Sequence, residues 1–195
     1  MLKNKSTAEF VKLIVVLFLI TAITALALAF VNEITKDKIK ALGEEKLNAA
    51  LNQVLAADTY EALDLSGVTV DPIVSTIYAA KSGDQLKGYC VRVLPNGFGG
   101  AIETIVGIDP DGKVIRVSIV SMTETAGIGT KTQEDSFLDQ FAGKSGELTV
   151  SKALELGENE ISAITGATVS SKAVTHGVTA AIAAVNQLKG GMGNA

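Results

Sequence analysis

The strongest constraint on the fold of this chain is an apolar stretch near its N-terminus. Residues 13–31 contain no charged side chain over 19 positions. As an α-helix this stretch would extend roughly 28 Å, which is enough to cross the hydrocarbon core of a bilayer. The sequence therefore predicts a transmembrane helix over residues 13–31, preceded by a short basic tail over residues 1–12, with membrane lipid as a partner.

A cleaved signal peptide is the alternative interpretation of this region. Lys3, Lys5 and Lys12 form a basic start, and residues 25–27 or 27–29 (Ala-Leu-Ala) imitate a cleavage site. The apolar core is longer than the ~7–15 residues of a signal peptide, which favours a retained span. Lysines lie on both sides of the span, so the positive-inside rule does not decide its orientation.

The segment after the span has helical periodicity. Apolar residues recur mostly at three- and four-residue steps between Ile34 and Leu55, which predicts an amphipathic linker helix over residues 32–57. A folded domain is expected over residues 58–189, followed by a flexible tail over residues 190–195.

The first half of this domain has the pattern of a sheet. Strands are predicted over four β-branched segments, at residues 74–80, 88–94, 101–108 and 113–121. Turn sequences separate them at residues 81–84 (Lys-Ser-Gly-Asp) and 109–112 (Asp-Pro-Asp-Gly). The expected fold class is α+β, with a twisted antiparallel sheet packed by helices.

The second half is predicted to be mainly helical. A short helix is expected over residues 131–141, a short strand over residues 148–150, and a final helix over residues 171–188. The final helix would bury a small apolar face on the sheet, formed by Ala173, Val174, Val178, Ala181, Ile182 and Val185.

Composition argues against several classes of function. The net charge of −4 provides no basic field for nucleic acid, so no nucleic-acid partner is expected. The single cysteine, Cys90, excludes an intrachain disulfide, a CxxC site and an iron–sulfur cluster held by this chain's own thiolates, and is expected to be a buried apolar residue. With His176 as the one histidine, expected on a helix surface, no metal site or catalytic triad is predicted.

Residues 165–171 (Thr-Gly-Ala-Thr-Val-Ser-Ser) have the pattern of a tight turn that leads into a helix. Gly166 permits the bend, Ala167 leaves the approach open, and Thr168, Ser170 and Ser171 place hydroxyl groups beside unpaired amide groups. Such a helix start attracts an anion. Taken alone, the pattern is also that of an ordinary helix cap.

This segment resembles the D-x-x-[ST]-G-A-T signature of the FMN-binding domains of RnfG and NqrC subunits. The resemblance implies covalent FMN, joined through its phosphate to the hydroxyl oxygen of Thr168 by an ApbE-type flavin transferase. Thr165, Gly166 and Ala167 match the signature, whereas Ser162 stands where the family pattern has Asp.

Two glycine-rich loops extend the resemblance. Residues 97–102 (Gly-Phe-Gly-Gly-Ala-Ile) resemble the start of the central hairpin of these domains. Residues 124–129 (Glu-Thr-Ala-Gly-Ile-Gly) are similar to the family's E-T-P-G-L-G loop. By that match Glu124, Thr125, Gly127 and Gly129 would line the flavin site; without it, the loop is typical of a plain connection between strand and helix.

The resemblance covers nearly the whole chain and favours RnfG over NqrC because the chain is short. It implies an electron-transfer subunit in a membrane complex that passes electrons between ferredoxin and NAD and translocates ions. The other membrane subunits would be its partners, and the single-pass chain would place its C-terminal domain outside a bacterial inner membrane. A module that binds a phosphate-bearing ligand non-covalently, an NqrC-like subunit of a quinone reductase, and a purely structural subunit are the alternatives.

Overall fold

The computed structural model describes the backbone of residues 3–153 and 155–192 and the side chains of residues 9–153 and 155–190. Helix α1 is continuous over Lys3–Val54, so the predicted span and linker helix form one helix. The chain divides into two compact units, residues 1–45 and 46–195. Positions 1–2 of the predicted basic tail and 193–195 of the predicted flexible tail lie outside the described residues.

The first unit is helical and apolar. Among the described residues, one helical segment, Glu9–Val54, is long and apolar enough to cross a membrane, with a mean hydropathy of 2.9 in its most apolar window. None of that window is buried within the chain. Large side chains such as Phe18, Leu26 and Phe30 are exposed, as expected for a surface that faces lipid.

The second unit is built on a five-stranded antiparallel meander, which confirms the predicted fold class. Its strands follow one another in the order β1-β2-β3-β4-β5. Their bounds are β1 Thr59–Ala62, β2 Val74–Ser82, β3 Gln85–Val93, β4 Glu103–Ile108 and β5 Val114–Ser121. Both predicted turns contain a glycine with positive φ, Gly83 at 57° and Gly112 at 93°. The strand β1 was not predicted from the sequence.

Helix α3, Thr168–Met192, covers one face of the sheet. All six apolar residues predicted for its buried face are buried in one cluster with Val91, Val93 and Val106. A Cβ at Gly177 would lie 3.0 Å from Pro95 and 3.1 Å from Val93 side-chain atoms, so this glycine lets the helix approach β3 closely. The helix begins three residues earlier than predicted and continues into the segment expected to be a flexible tail.

The last two turns of α1 cover the opposite face. Ala50, Leu51 and Val54 pack there with Ala80 and Ile105, and Cys90 is buried in the same cluster. Thus the sheet is enclosed between α1 and α3, and Cys90 occupies the buried position predicted for it.

The segment between β5 and α3 is more irregular than predicted. In place of one helix over residues 131–141, a 3-10 turn at Gly129–Gln133, helix α2 at Asp135–Leu138 and a 3-10 turn at Asp139–Phe141 follow one another. Glu134 interrupts the helix because its ψ of 141° is extended. Two short strands, β6 Thr149–Ser151 and β7 Glu160–Ser162, then pair in parallel; β7 was not predicted.

Candidate functional site

The start of α3 is shaped by a tight turn over residues 164–167. The Ala167 N–H donates to the Ile164 carbonyl at 2.9 Å, and Gly166 has a φ of 83°. Positive φ at the third turn position is the type II requirement that glycine meets without strain. The first intrahelical bond runs from the Ser171 N–H to the Ala167 carbonyl at 2.9 Å. Consequently the amides of Thr168, Val169 and Ser170 precede that bond and have no carbonyl acceptor within the helix.

The hydroxyl groups around this turn have different environments. Ser171 is fully buried; its hydroxyl donates to the Ala167 carbonyl at 2.9 Å and accepts from the Ile164 N–H at 3.1 Å. Ser170 is buried, and its hydroxyl donates to Glu124 Oε2 at 2.6 Å. Thr165 is exposed at the corner of the turn, whereas Thr168 is half-buried and lines a pocket.

That pocket has a volume of about 440 Å³ and is formed by four segments. The helix start contributes Gly166, Ala167, Thr168, Val169 and Ser170. The loop after β5 contributes Glu124, Thr125, Ile128 and Gly129, and two further segments contribute Phe98 and Lys152. The structure therefore brings together loops that are far apart in the sequence.

Glu124 joins three of these segments. Its side chain is buried, its Oε2 accepts from the Ser170 hydroxyl, and its Oε1 accepts from the Gly99 N–H at 2.9 Å. Thr123 adds a second link, because its hydroxyl donates to the Gly99 carbonyl at 2.9 Å. Both oxygens of this side chain have hydrogen-bond partners, as buried polar atoms require.

Some residues predicted for the site lie outside the pocket. Among the described residues, Ser162, Thr165, Gly127 and Ser171 do not contribute to its lining. Ser162 ends β7, where its N–H donates to Gln140 Oε1 at 2.7 Å. Gly127, with a φ of 73°, donates its N–H to the Thr130 hydroxyl at 2.9 Å and shapes the loop rather than the lining.

Four lining residues were not selected from the sequence. Phe98, Ile128 and Val169 are large apolar side chains that are 75%, 48% and 52% exposed around the pocket. An aromatic residue between glycines is a usable signal for Phe98, whereas nothing in the sequence around Lys152 marks it. The lining thus combines three large apolar side chains with the polar start of α3 and one cation, Lys152.

The described part of the chain contains no candidate metal site. No group of three or more His, Cys, Asp and Glu side chains there is placed to hold a metal ion. His176 is exposed on α3, and its Nε2 lies 3.4 Å from Asp71 Oδ2.

Comparisons with known proteins agree with the motifs. Residues 97–183 match the family model of the FMN-binding domain, and residues 12–54 match that of the RnfG N-terminal region. The G subunit of the Na⁺-translocating ferredoxin:NAD⁺ oxidoreductase complex of Acetobacterium woodii is 38% identical over 188 residues, which cover 88% of this chain and 89% of that protein.

Two further proteins show how far the similarity extends. The G subunit of the proton-translocating ferredoxin:NAD⁺ oxidoreductase complex of Clostridium ljungdahlii is 48% identical over 115 residues, 58% of this chain and 62% of that protein. The crystal structure of the C subunit of the Na⁺-translocating NADH-quinone reductase from Parabacteroides distasonis superposes with a TM-score of 0.54 at 17% identity. It covers 74% of this chain and 83% of the other, a likeness of fold alone.

Proposed function

The chain belongs to the family of G subunits of ion-translocating oxidoreductase complexes, and from this premise we propose that it carries electrons within a ferredoxin:NAD oxidoreductase complex. The cofactor would be FMN, bound covalently through a phosphoester to Thr168. Bound FMN supplies one- and two-electron chemistry, so the protein has to hold, tune and present it rather than catalyse a separate reaction.

The observation that carries this proposal is the position of Thr168 among the hydroxyls of the turn. Ser170 and Ser171 are buried and hydrogen-bonded within the chain, and Thr165 lies outside the pocket lining. Thr168 is the hydroxyl residue of this turn that is both partly accessible and part of the lining. Its choice as the acceptor therefore has support from burial as well as from the signature.

The polar and apolar lining residues suit the two ends of FMN. Its volume of about 440 Å³ lies within the ~300–1,000 Å³ range of small-molecule sites. The amides of Thr168, Val169 and Ser170 and the positive end of the α3 dipole would face the phosphate, an effect of about 0.3–1 kcal/mol at an exposed site. Phe98, Ile128 and Val169 would face the flavin ring and leave an edge open to a partner.

Attachment requires an activated phosphate. A hydroxyl group displaces a nucleoside monophosphate from a phosphoanhydride more readily than it displaces hydroxide from the phosphate of free FMN. The donor would be a flavin dinucleotide, presented by an ApbE-type transferase. The Thr168 oxygen forms the new bond to the flavin-side phosphorus, the pyrophosphate P–O bond breaks, and the nucleoside monophosphate leaves. The hydroxyl proton passes to a base of the transferase, and no electrons are exchanged.

The chain is proposed to cross the inner membrane once, with its C-terminal domain on the outer side, and to assemble with the other membrane subunits of an Rnf-type complex. Membrane attachment is supported by the most apolar window of Glu9–Val54, none of which is buried within the chain. A covalent anchor would retain the flavin there even when the surrounding loops open.

Replacement of Thr168 tests the attachment site. Thr168→Val keeps the shape of the side chain and removes the oxygen, so protein made with the transferase should fold, enter the membrane and show no flavin fluorescence on a denaturing gel. Intact mass should lack the FMN increment that wild type carries. Thr165→Val is the matched control, three residues away and outside the lining, and should keep the label.

Other outcomes separate the alternatives. Label on Thr168→Val would reject Thr168 and direct attention to Thr165, Ser170 and Ser171. Flavin that leaves wild type on denaturation would favour the non-covalent module. Co-purification with quinone reductase subunits would favour the NqrC-like assignment.

A further inference from the structure

The lining of the pocket contains a cation that has no role in the proposed function so far. Lys152 is the cationic side chain among the lining residues that the structure describes, and it is exposed to solvent. It shares the lining with Thr168 and with the amides at the start of α3.

The small parallel sheet fixes Lys152 beside the turn. Val150 pairs with Ile161 and Ser151 pairs with Ser162, and the Ala163 N–H donates to the Ser151 carbonyl at 2.9 Å. Lys152 directly follows β6, and the turn over residues 164–167 follows β7 after one residue. Because the two strands run in parallel, both chain segments leave the sheet at the same edge.

The acid in the lining, Glu124, has hydrogen-bond partners other than this cation. Both oxygens of Glu124 accept hydrogen bonds, from Ser170 and Gly99, and the carboxylate is buried. In the described part of the chain, Lys152 takes part in no ion pair with an acidic side chain. Its ammonium group is therefore accessible to an anion that enters from solvent.

We propose that Lys152 pairs with the phosphates of the flavin donor and positions the flavin-side phosphorus against the Thr168 hydroxyl. The inference rests on the proposed function, since it assigns a positioning residue for the attachment reaction. A dinucleotide donor carries two phosphate charges, whereas the phosphodiester on Thr168 keeps one. Lys152 thus pairs more strongly with the donor than with the attached flavin, and it acts on the rate of attachment by holding the flavin-side phosphorus in the position that attack by the Thr168 hydroxyl requires.

The experiment follows label incorporation into the full-length chain in detergent, with purified transferase and FAD, by in-gel fluorescence and intact mass. At saturating chain concentration, Lys152→Ala should lower the rate about three- to fivefold, the size expected for an exposed ion pair. Its rate should also depend less on salt than that of wild type. Lys152→Arg should restore most of the rate.

Lys172→Ala is the matched control. Lys172 is an exposed lysine on α3 that lines a different groove with Glu147 and His176, so its removal changes net charge equally without touching the pocket. Equal rates for Lys152→Ala and Lys172→Ala would overturn the proposal. A higher KM for the chain with an unchanged maximal rate would also overturn it, and would assign Lys152 to docking of the transferase. Absence of label on wild type would instead reject the proposed function.

Discussion

At the scale of single residues, Glu124 explains the glycines around it. A Cβ at Gly97 would lie 2.2 Å from Glu124 Oε1, and a Cβ at Gly129 would lie 2.5 Å from Oε2. A Cβ at Gly99 would lie 2.2 Å from the Thr123 carbonyl oxygen. These three glycines are needed because the buried carboxylate of Glu124 and the carbonyl group of Thr123 occupy the space that larger side chains would fill.

Gly129 and Gly127 should therefore respond differently to the same substitution. Gly129→Ala forces Glu124 to move and disrupts its bond to Ser170, so we expect a loss of about 2–3 kcal/mol in the free energy of unfolding. Gly127→Ala has no atom within 4 Å of the new Cβ and carries only the strain of a φ of 73°, about 1–2 kcal/mol. Urea unfolding followed by circular dichroism measures both, and a larger loss at Gly127 would contradict this account.

Cys90 makes the stability of the domain fall at high pH. Burial raises the pKa of its thiol from 9.0 to about 12 because the thiolate is disfavoured inside the protein. As the pH rises, the unfolded chain therefore releases the thiol proton at a lower pH than the folded chain does. The contribution of Cys90 to the free energy of unfolding is fully present below pH 9.0 and is lost as the pH rises towards about 12.

Cys90→Ala should accordingly reduce the fall in unfolding free energy between about pH 8 and about pH 11. Burial also raises the pKa of Tyr60 from 10.0, which adds a loss of stability of the same sign at higher pH in both proteins. The charge of the Cys90 thiolate raises this pKa further in wild type alone, so its removal in the variant acts in the same direction as the loss of the thiol. The measurement is urea unfolding at each pH. Identical pH slopes for wild type and variant would show that the thiol ionises as easily in the folded state as in the unfolded one.

At the scale of elements, the end of α1 acts as part of the sheet's core. A Cβ at Gly107 would lie 2.7 Å from the Val54 carbonyl oxygen, so helix and strand approach closely there. The Ser118 hydroxyl donates to Gln53 Oε1 at 2.8 Å. The Tyr60 hydroxyl donates to the Leu55 carbonyl at 2.8 Å and accepts from the Ala57 N–H at 3.2 Å. These two hydrogen bonds satisfy backbone groups just after the C-terminus of α1.

Two leucines of α1 test this role. Leu51 is 2% exposed, and Leu51→Ala should cost about 2–5 kcal/mol through lost burial and a cavity. Leu42 is 55% exposed, and Leu42→Ala should change the unfolding free energy by less than about 0.5 kcal/mol. Unfolding of the second unit in detergent provides the measurement. Equal, small effects would mean that α1 unfolds separately from the sheet.

At the scale of the whole molecule, the membrane arrangement remains a prediction. We expect the span to be retained and residues 32–195 to be exported, because the apolar core exceeds that of a signal peptide and follows a basic start. A topology reporter fused at Gly190 and sequencing of the mature N-terminus test both parts. A cytoplasmic reporter, or cleavage after Ala27 or Ala29, would contradict the arrangement.

The sequence by itself determined the structural features that depend on residues close together in the chain. An uncharged run of 19 residues indicates a helix that can span a membrane, and β-branched segments between turn sequences indicate the central strands. Gly166 marked the turn before α3 because positive φ is a local requirement that glycine meets. The strands β1 and β7 escaped prediction because each is short and contains a single β-branched residue, so that neither has a strand pattern of its own.

The motif resemblance had already placed Glu124 and Thr168 at one site, and the tertiary structure decided which other residues share the pocket. Phe98, Glu124, Lys152 and Thr168 come from four segments whose spacing carries no periodic signal. Antiparallel and parallel pairing, helix packing and the two hydrogen bonds of Glu124 bring them together. Sequence patterns report local preference, whereas this site depends on contacts between segments that are distant in the chain, and their geometry exists only after the sheet and α3 have packed.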